Sequence, residues 1–335
     1  MMKKALKIAA LILVCLVCGV FAAAMIAGNS LLNKISYEEA PEQTPEPAQI
    51  RQAAEQEGIV LPEESAPPEA DDIVNLLLLG TDIKIPDSQD QGRSDCTMIC
   101  SINKTEGSVT LISIERGIRV PVPSAYARWD GSCSDLITNV HAYLGDDYML
   151  SIVEQCFNLE LAGYAQVDFN TFQNVVDAIG GVDIELTSKE AEALNGYIYT
   201  NAKAMHHMTE GLNHLDGYDA LQYCRLRYTD SDWVRIDRQK NCIEACLKGI
   251  KGLSLKELYS LAEEVLPYIR TSLTKQEITE LLLCGPKILE NMELTKMTVP
   301  DYNWEGGFIK CDFDYESKKI ANAIYGAGYE IESPY

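Results

Sequence analysis

Tyr164-Ala-Gln-Val-Asp-Phe-Asn-Thr-Phe-Gln-Asn-Val-Val-Asp-Ala-Ile-Gly-Gly-Val-Asp-Ile-Glu185 is the stretch that decides the fold. Tyr164–Asp168 and Val182–Glu185 read as short strands. Between them Phe169, Phe172, Val175, Val176 and Ile179 fall at roughly helical spacing, and Gly180-Gly181 stops the helix. A strand, a helix and a strand in this order are the repeating unit of an α/β domain. Upstream, Asn75-Leu-Leu-Leu-Leu-Gly80 is an apolar run ending in glycine, as expected of a buried central strand. Thr97–Asn103 and Val109–Ile114 form a hairpin across Asn103-Lys-Thr-Glu-Gly107. Helices are expected over Gly145–Asn158, Asp216–Tyr223, Val234–Lys251, Leu255–Leu266, Thr274–Leu283 and Tyr315–Ala327, with a strand near Met297–Val299. The reading is one three-layer α/β/α domain over residues 73–335, built on a central mixed β-sheet.

What precedes the domain is of two kinds. Lys3, Lys4 and Lys7 lead into an unbroken apolar run over residues 8–27. At about 1.5 Å per residue it spans about 30 Å, the hydrocarbon thickness of a bilayer. The run is longer than a secretory core segment, although Ala22-x-Ala24 offers a cleavage site; it is read as a transmembrane anchor. The lysines put residues 1–7 in the cytoplasm and the rest of the chain outside the cell membrane. Residues 28–72 are a linker, and from Tyr37 to Asp72 eleven acids stand against Arg51 alone, with six of the thirteen prolines. Such a composition predicts a disordered, self-repelling spacer reaching roughly 30–35 Å or more.

The whole chain of 335 residues is 47% apolar and carries a formal charge of −22, from 28 basic and 50 acidic residues. This balance argues against nucleic acid as a partner. Four histidines, at 141, 206, 207 and 214, and no H-E-x-x-H or paired C-x-x-C make a zinc enzyme a poor fit. No P-loop or G-x-S-x-G occurs either. Of eleven cysteines, Cys15 and Cys18 lie in the apolar run; the other nine are an odd number, so at least one stays free or pairs between molecules. Most read as packed thiols.

The basic residues are not spread evenly. Arg225, Arg227, Arg235 and Arg238, four of the ten arginines, fall within fourteen residues. Arg225 and Arg227 have strand spacing, which points both to one side, and Arg235 and Arg238 lie a turn apart at the start of a helix. Planar guanidinium groups beside a helix amino terminus make a polyanion site; a network with Asp230, Asp232 and Asp237 is the plainer alternative. Asp82 follows the first strand at its carboxyl end, where sheets of this class bind ligands, and Arg93-Ser-Asp95 precedes the next strand. Two carboxylates at one sheet end suit a hard cation, Mg2+ above all; loop capping is the alternative.

Leu79-Gly-Thr-Asp82, Arg93-Ser-Asp95, Ser113-Ile-Glu-Arg116, Val167-Asp-Phe169, Val176-Asp-Ala-Ile-Gly-Gly-Val-Asp183, Leu215-Asp-Gly217, Ala220-Leu221, Arg225-Leu-Arg227 and Arg238-Gln239 follow one another in order. In these motifs the chain resembles the LytR-CpsA-Psr (LCP) family of bacterial envelope proteins, from about Ile73 to Lys251 and more loosely beyond. The resemblance implies a Mg2+-dependent phosphotransferase of the cell wall. Such proteins move a glycopolymer (teichoic acid, capsule or another wall glycan) from a polyprenyl diphosphate to a hydroxyl of peptidoglycan. It implies that Asp82 and Asp95 hold the metal. Arg93, Arg116, Arg225, Arg227 and Gln239 contact the diphosphate, and Asp232 and Arg238 complete the polar site. Phe169, Phe172 and Val176 become candidates for lining a lipid cavity, with ordinary core packing as the alternative for each.

Two departures stand out. The family's Pro-Arg-Asp is here Glu115-Arg116-Gly117, and a lysine expected before the Asn139 region is absent, with Ile137 near its place. The lost aspartate makes a non-catalytic or weakly catalytic binder of the lipid-linked polymer the second reading. A transcription regulator is a poor third: the head is acidic, is expected outside the cell and shows no recognition-helix signature.

Overall fold

The computed structural model describes residues 31–38, 45–63, 65–82, 91–126, 130–196, 207–226, 238, 241–242, 244–246, 248–250, 253–291, 294–300, 304–305 and 308–334. Its strands are β1 (Ser36–Tyr37), β2 (Ile73–Thr81), β3 (Ser94–Asn103), β4 (Val109–Ile114), β5 (Arg119–Pro121), β6 (Ser134–Leu136), β7 (Tyr164–Asp168), β8 (Val182–Leu186), β9 (Gly211–Leu215), β10 (Arg270–Thr271), β11 (Leu294–Val299), β12 (Trp304–Glu305) and β13 (Phe308–Ile309). Its helices are α1 (Pro47–Glu57), α2 (Ile137–Phe157), α3 (Phe169–Ala178), α4 (Ser188–Gly196), α5 (Gly217–Cys224), α6 (Leu255–Val265), α7 (Lys275–Asn291) and α8 (Phe313–Tyr325).

Seven strands make the central sheet in the order β1-β10-β7-β2-β3-β4-β11. β2 is parallel to β7 and antiparallel to β3, which in turn is antiparallel to β4; β4 is parallel to β11. The sheet is therefore mixed, as the sequence suggests. Alternation along β2 sends Leu76 and Leu78 into one core and Leu77 and Leu79 into the other. The first core is completed by α3, α5 and α6, the second by α1, α2 and α8. Two cores on the two faces of one sheet are the expected three layers.

Several expectations change. Residues 37–72 are not uniformly a disordered spacer: α1 is a full helix with Pro47 in its first turn and a Glu46/Gln49 capping box, and Gly58 in the left-handed region ends it. Ile50, Ala53 and Ala54 are buried from it. Glu57 at its end accepts from Ser134 Oγ, the Cys133 amide and Arg119. Upstream, Leu31, Leu32 and Ile35 are buried and β1 adds to the sheet edge beside β10, so the folded unit does not begin at residue 73. The helix expected over Gly145–Asn158 is the second half of α2, which starts at Ile137 and breaks at Gly145 (φ 80, ψ −173). Among the described residues β8 pairs only with β9, in a separate two-stranded ribbon; its Asp183 and Glu185 are exposed, whereas a central strand would bury both faces. The end of the Thr274–Leu283 helix also moves, to Asn291.

Of the helix expected over Val234–Lys251, residues 238, 241–242, 244–246 and 248–250 are helical and the others lie outside the described residues; the anchor expected over residues 8–27 lies wholly outside them. Among the described residues no helix is long and apolar enough to cross a membrane. No disulfide joins the described cysteines; Cys96, Cys100, Cys133, Cys156, Cys224, Cys242 and Cys246 are buried. Burial pushes the Cys100 thiol up to about 12, the behaviour of a core side chain rather than a nucleophile.

Candidate active site

β2, β4 and β7 point the same way and β3 runs against them, so the ends of three strands and the start of the fourth meet at one edge. Asp82 follows β2, Arg93 precedes β3, Glu115-Arg116 follows β4 and Phe169 follows β7. Residues as far apart in sequence as Asp82 and Phe169 thus converge because the sheet is built in this order. The pairing of β2 with β3 steps from Gly80↔Cys96 to Thr81↔Ser94, which leaves Asp95 as the extra residue of a β-bulge. Bulges re-aim side chains, and this one turns a carboxylate that is 2% exposed toward the cluster. The Arg116 guanidinium lies 3.5 Å from Asp95 Oδ1. A carboxylate held this deep requires a cationic partner.

Asp82 and Arg93 are tied to each other twice. The Arg93 amide donates to Asp82 Oδ1 at 2.6 Å, and the Asp82 amide donates to the Arg93 carbonyl at 3.2 Å. The approach is so close that a Cβ on Gly92 (φ +82) would stand 2.7 Å from both Asp82 O and Oδ1. Arg93 itself is exposed.

The third arginine arrives from another direction. Asp168 caps α3 by accepting from the Thr171 amide and hydroxyl, both at 2.8 Å, which fixes Phe169 at the first turn. Asp177 near the other end of α3 accepts from the Gly217 amide at 2.6 Å, and Asp216 caps α5, so the two helices pack side by side. Arg225 is the C-cap of α5, and its guanidinium lies 5.1 Å from the centroid of the Phe169 ring. The strand spacing expected of Arg225 is therefore a correction: residues 225 and 226 close a helix end, their amides donating to Gln222 O and Tyr223 O. A helix that has just ended offers its polar tip as readily as a strand offers a face.

Phe169, Phe172 and Val176 are buried in the core beneath this point, at 8%, 0% and 0% exposure. Phe169 is the residue at which the apolar layer and Arg225 meet. Arg238 has a different place from the one expected. It is 2% exposed, its Nε is paired with Glu190 on α4, and its Nη1 donates to Leu226 O at 3.3 Å. It braces the chain next to Arg225 from inside the core. Arg227, Asp232, Arg235 and Gln239 lie outside the described residues.

Asp82 and Asp95 supply only hard oxygen donors, and among the described residues no group of three His, Cys, Asp or Glu side chains is placed to bind a metal. Two carboxylates are still enough for Mg2+, which completes its octahedron with water and phosphate oxygens. The donor set fits that ion and would fit zinc poorly.

Sequence reasoning missed His141, which is fully buried behind the clasp with Nδ1 2.6 Å from Gly92 O and Nε2 2.7 Å from Asp146 Oδ1. It also missed Glu190 as the partner of Arg238. A His–Asp pair five residues apart has no helical register, and only the break at Gly145 brings the two together.

The LytR_cpsA_psr family model matches residues 31–323. The polyisoprenyl-teichoic acid–peptidoglycan teichoic acid transferase TagU of Bacillus cereus is 29% identical over 225 residues, covering 66% of this chain and 67% of that protein. The corresponding Bacillus subtilis transferase TagT is 30% identical over 185 residues, 55% of this chain and 54% of that one. Among solved structures, a Streptococcus agalactiae protein superposes with a TM-score of 0.62 at 19% identity, covering 78% of this chain and 90% of its own. A TagT structure described as holding an octaprenyl pyrophosphate lipid superposes with a TM-score of 0.54 at 22% identity, covering 80% of this chain and 100% of its own. These superpositions show a shared fold. The family match runs from the start of the edge segment into α8 and takes in every aspartate and arginine of the cluster; the chain belongs to the LytR_cpsA_psr family.

Proposed function

We propose that this protein is an extracytoplasmic phosphotransferase. It takes a glycopolymer from a polyprenyl diphosphate carrier and joins it through a phosphodiester to a hydroxyl of peptidoglycan. The observation that supports the reading is that the strand order brings Asp82, Arg93, Asp95 and Arg116 to one sheet end, the end at which Arg225 lies over Phe169 at the edge of the apolar layer. A cationic mouth above an apolar interior matches a ligand with a diphosphate head and an isoprenoid tail. The relatives named as teichoic acid transferases support the reaction class. Residues 8–27 serve in this reading as the membrane anchor, with the folded unit outside.

Phosphoryl transfer asks the protein for position and charge neutralisation rather than covalent help. Asp82 and Asp95 would hold Mg2+, which supplies neutralisation of the diphosphate oxygens. Arg93, exposed beside the Asp82 clasp, meets the diphosphate from the β3 side. Arg116 reaches it from β4, with Asp95 fixing its direction until substrate arrives. Arg225 comes in over Phe169, which keeps the guanidinium away from bulk water and orients its plane. The acceptor hydroxyl attacks the phosphorus that bears the sugar; the bond to the bridging oxygen breaks, polyprenyl monophosphate leaves, and the hydroxyl proton is released. Each charge-assisted arginine contact is worth about 1.5–3 kcal/mol.

The test is transfer of lipid-linked polymer to peptidoglycan by the purified full chain. Arg225→Ala should lower the rate about 10²- to 10³-fold, by analogy with loss of one oxyanion donor, while leaving thermal unfolding near wild type. Wild-type transfer by that variant removes Arg225 from the site. A second reading, a binder of the same lipid-linked polymer with little or no turnover, rests on Gly117 standing where the family has aspartate. Saturable binding of the lipid carrier with no transfer product would favour it.

A further inference from the structure

We infer that His141 is a positioning residue of this site: clamped against Asp146 across the Gly145 break, it fixes the Gly92 carbonyl and thereby the Asp82 carboxylate and the Arg93 arm. The inference rests on the phosphotransferase reading for its purpose, but its geometry stands separately.

His141 is fully buried. Its Nδ1 faces the Gly92 carbonyl at 2.6 Å and its Nε2 faces Asp146 Oδ1 at 2.7 Å. Both ring nitrogens are engaged, so the ring cannot turn without losing both contacts. Asp146 is held in its own turn: its Oδ2 lies 3.4 Å from Arg270 Nη2, and Arg270 grips Glu38 through two bonds of 2.6 and 2.8 Å. Gln166 Nε2, from β7, stands 3.5 Å from the ring and donates to Thr81 Oγ1 at 3.0 Å, which places the same cluster against the end of β2.

The other end of the clamp is the site. The segment 91–93 is tied to α2 twice, by the Gln91 amide donating to Ala142 O at 2.8 Å and by His141 on Gly92 O. One residue further, the Arg93 amide holds Asp82 Oδ1. Releasing His141 frees the carbonyl next to that amide, and the carboxylate loses its fixed direction. Partners at this remove from a metal typically set affinity by 10- to 100-fold.

Two substitutions separate the ring's two bonds. Asn at 141 puts a donor near the place of Nδ1 and keeps the Gly92 contact; Gln puts one near Nε2 and keeps only Asp146. In the full chain purified in detergent, hydrogen exchange over residues 91–93 should stay near wild type in His141→Asn and quicken in His141→Gln, with protection elsewhere unchanged. Mn2+ affinity, read by the spectroscopic signal of the free ion, should stay within about threefold in the first and fall about 10- to 100-fold in the second. Exchange over 91–93 that is unchanged in His141→Gln, or that quickens alike in both variants along with the rest of the molecule, overturns the inference. A wild-type chain that binds no Mn2+ sinks the metal reading proposed above and leaves the exchange result to decide this one. Should the histidine variants not fold, Asp146→Ala is measured in the same way: faster exchange confined to 91–93 supports the clamp, and unchanged exchange overturns it.

Discussion

Burial, together with the charges of Asp146 and Glu38, lifts the Asp147 carboxyl to about 6, although Arg270 pulls the other way. A raised carboxyl binds its proton more tightly folded than unfolded. Its contribution is complete below the ordinary carboxylate range near pH 4 and is lost as pH rises through about 6. Asp147→Asn should therefore raise the melting temperature at pH 7.5 and leave it unchanged at pH 4; equal melting of the two proteins at both values refutes the shift. Gly117 stands where the resemblance implies an aspartate. A Cβ there would stand 3.2 Å from Ile309 Cδ1, and the Gly117 carbonyl accepts from the Ile309 amide at 2.9 Å. Restoring the acid by Gly117→Asp should cost about 1–3 kcal/mol through overpacking, and Ile309→Ala should relieve part of that cost in the double variant, read by chemical denaturation. At this scale the sequence was legible where chemistry is written locally: Asp82, Arg93-Ser-Asp95 and Arg116 lie where strand ends put them. It was not legible for Arg238, since a buried arginine and a substrate arginine look alike until Glu190 is seen beside it.

α2 turns on one position. Gly145 takes φ 80 and ψ −173, a region essentially closed to other residues, and a Cβ there would meet nothing within 4 Å. The cost of Gly145→Ala is therefore backbone strain alone, about 1–3 kcal/mol, measurable as a lower denaturation midpoint with an unchanged slope. An uninterrupted helix would move Asp146 off the face of His141, so the same variant should also quicken exchange over residues 91–93. The elements read correctly from the sequence are those with clean periodicity, such as β2, the β3–β4 hairpin and α3. α1 was hidden by its surroundings. Averaged over residues 37–72, acid and proline dominate, yet Ile50, Ala53 and Ala54 share one buried helical face, and a proline at the helix start is a favourable residue rather than a breaker. β1 gave no pattern at all, being two residues long and paired with β10, more than two hundred residues away.

For the molecule as a whole, these two segments decide where folding begins. Leu31 and Ile50 are fully buried, each worth about 1.5–3 kcal/mol by apolar burial, against a typical total stability of about 5–15 kcal/mol. A chain starting at residue 73 should be insoluble or melt at least 10 °C below one starting at residue 31; matched melting curves would show that the edge segments are ornament. The three-layer plan and mixed sheet follow from strand and helix order, which periodicity reports. The domain's true beginning did not follow, because burial of a short segment depends on partners remote in sequence, such as Arg270 for Glu38. The position of β1 also shortens the leash. With residues 8–27 as the proposed anchor, the buried segment that leads into β1 begins at Leu31, after only residues 28–30, which at about 3.3–3.6 Å per residue can reach about 10 Å. A head so closely moored has little freedom to roam; it would ride against the lipid surface, where a carrier with a buried tail and a projecting headgroup is delivered by lateral diffusion alone.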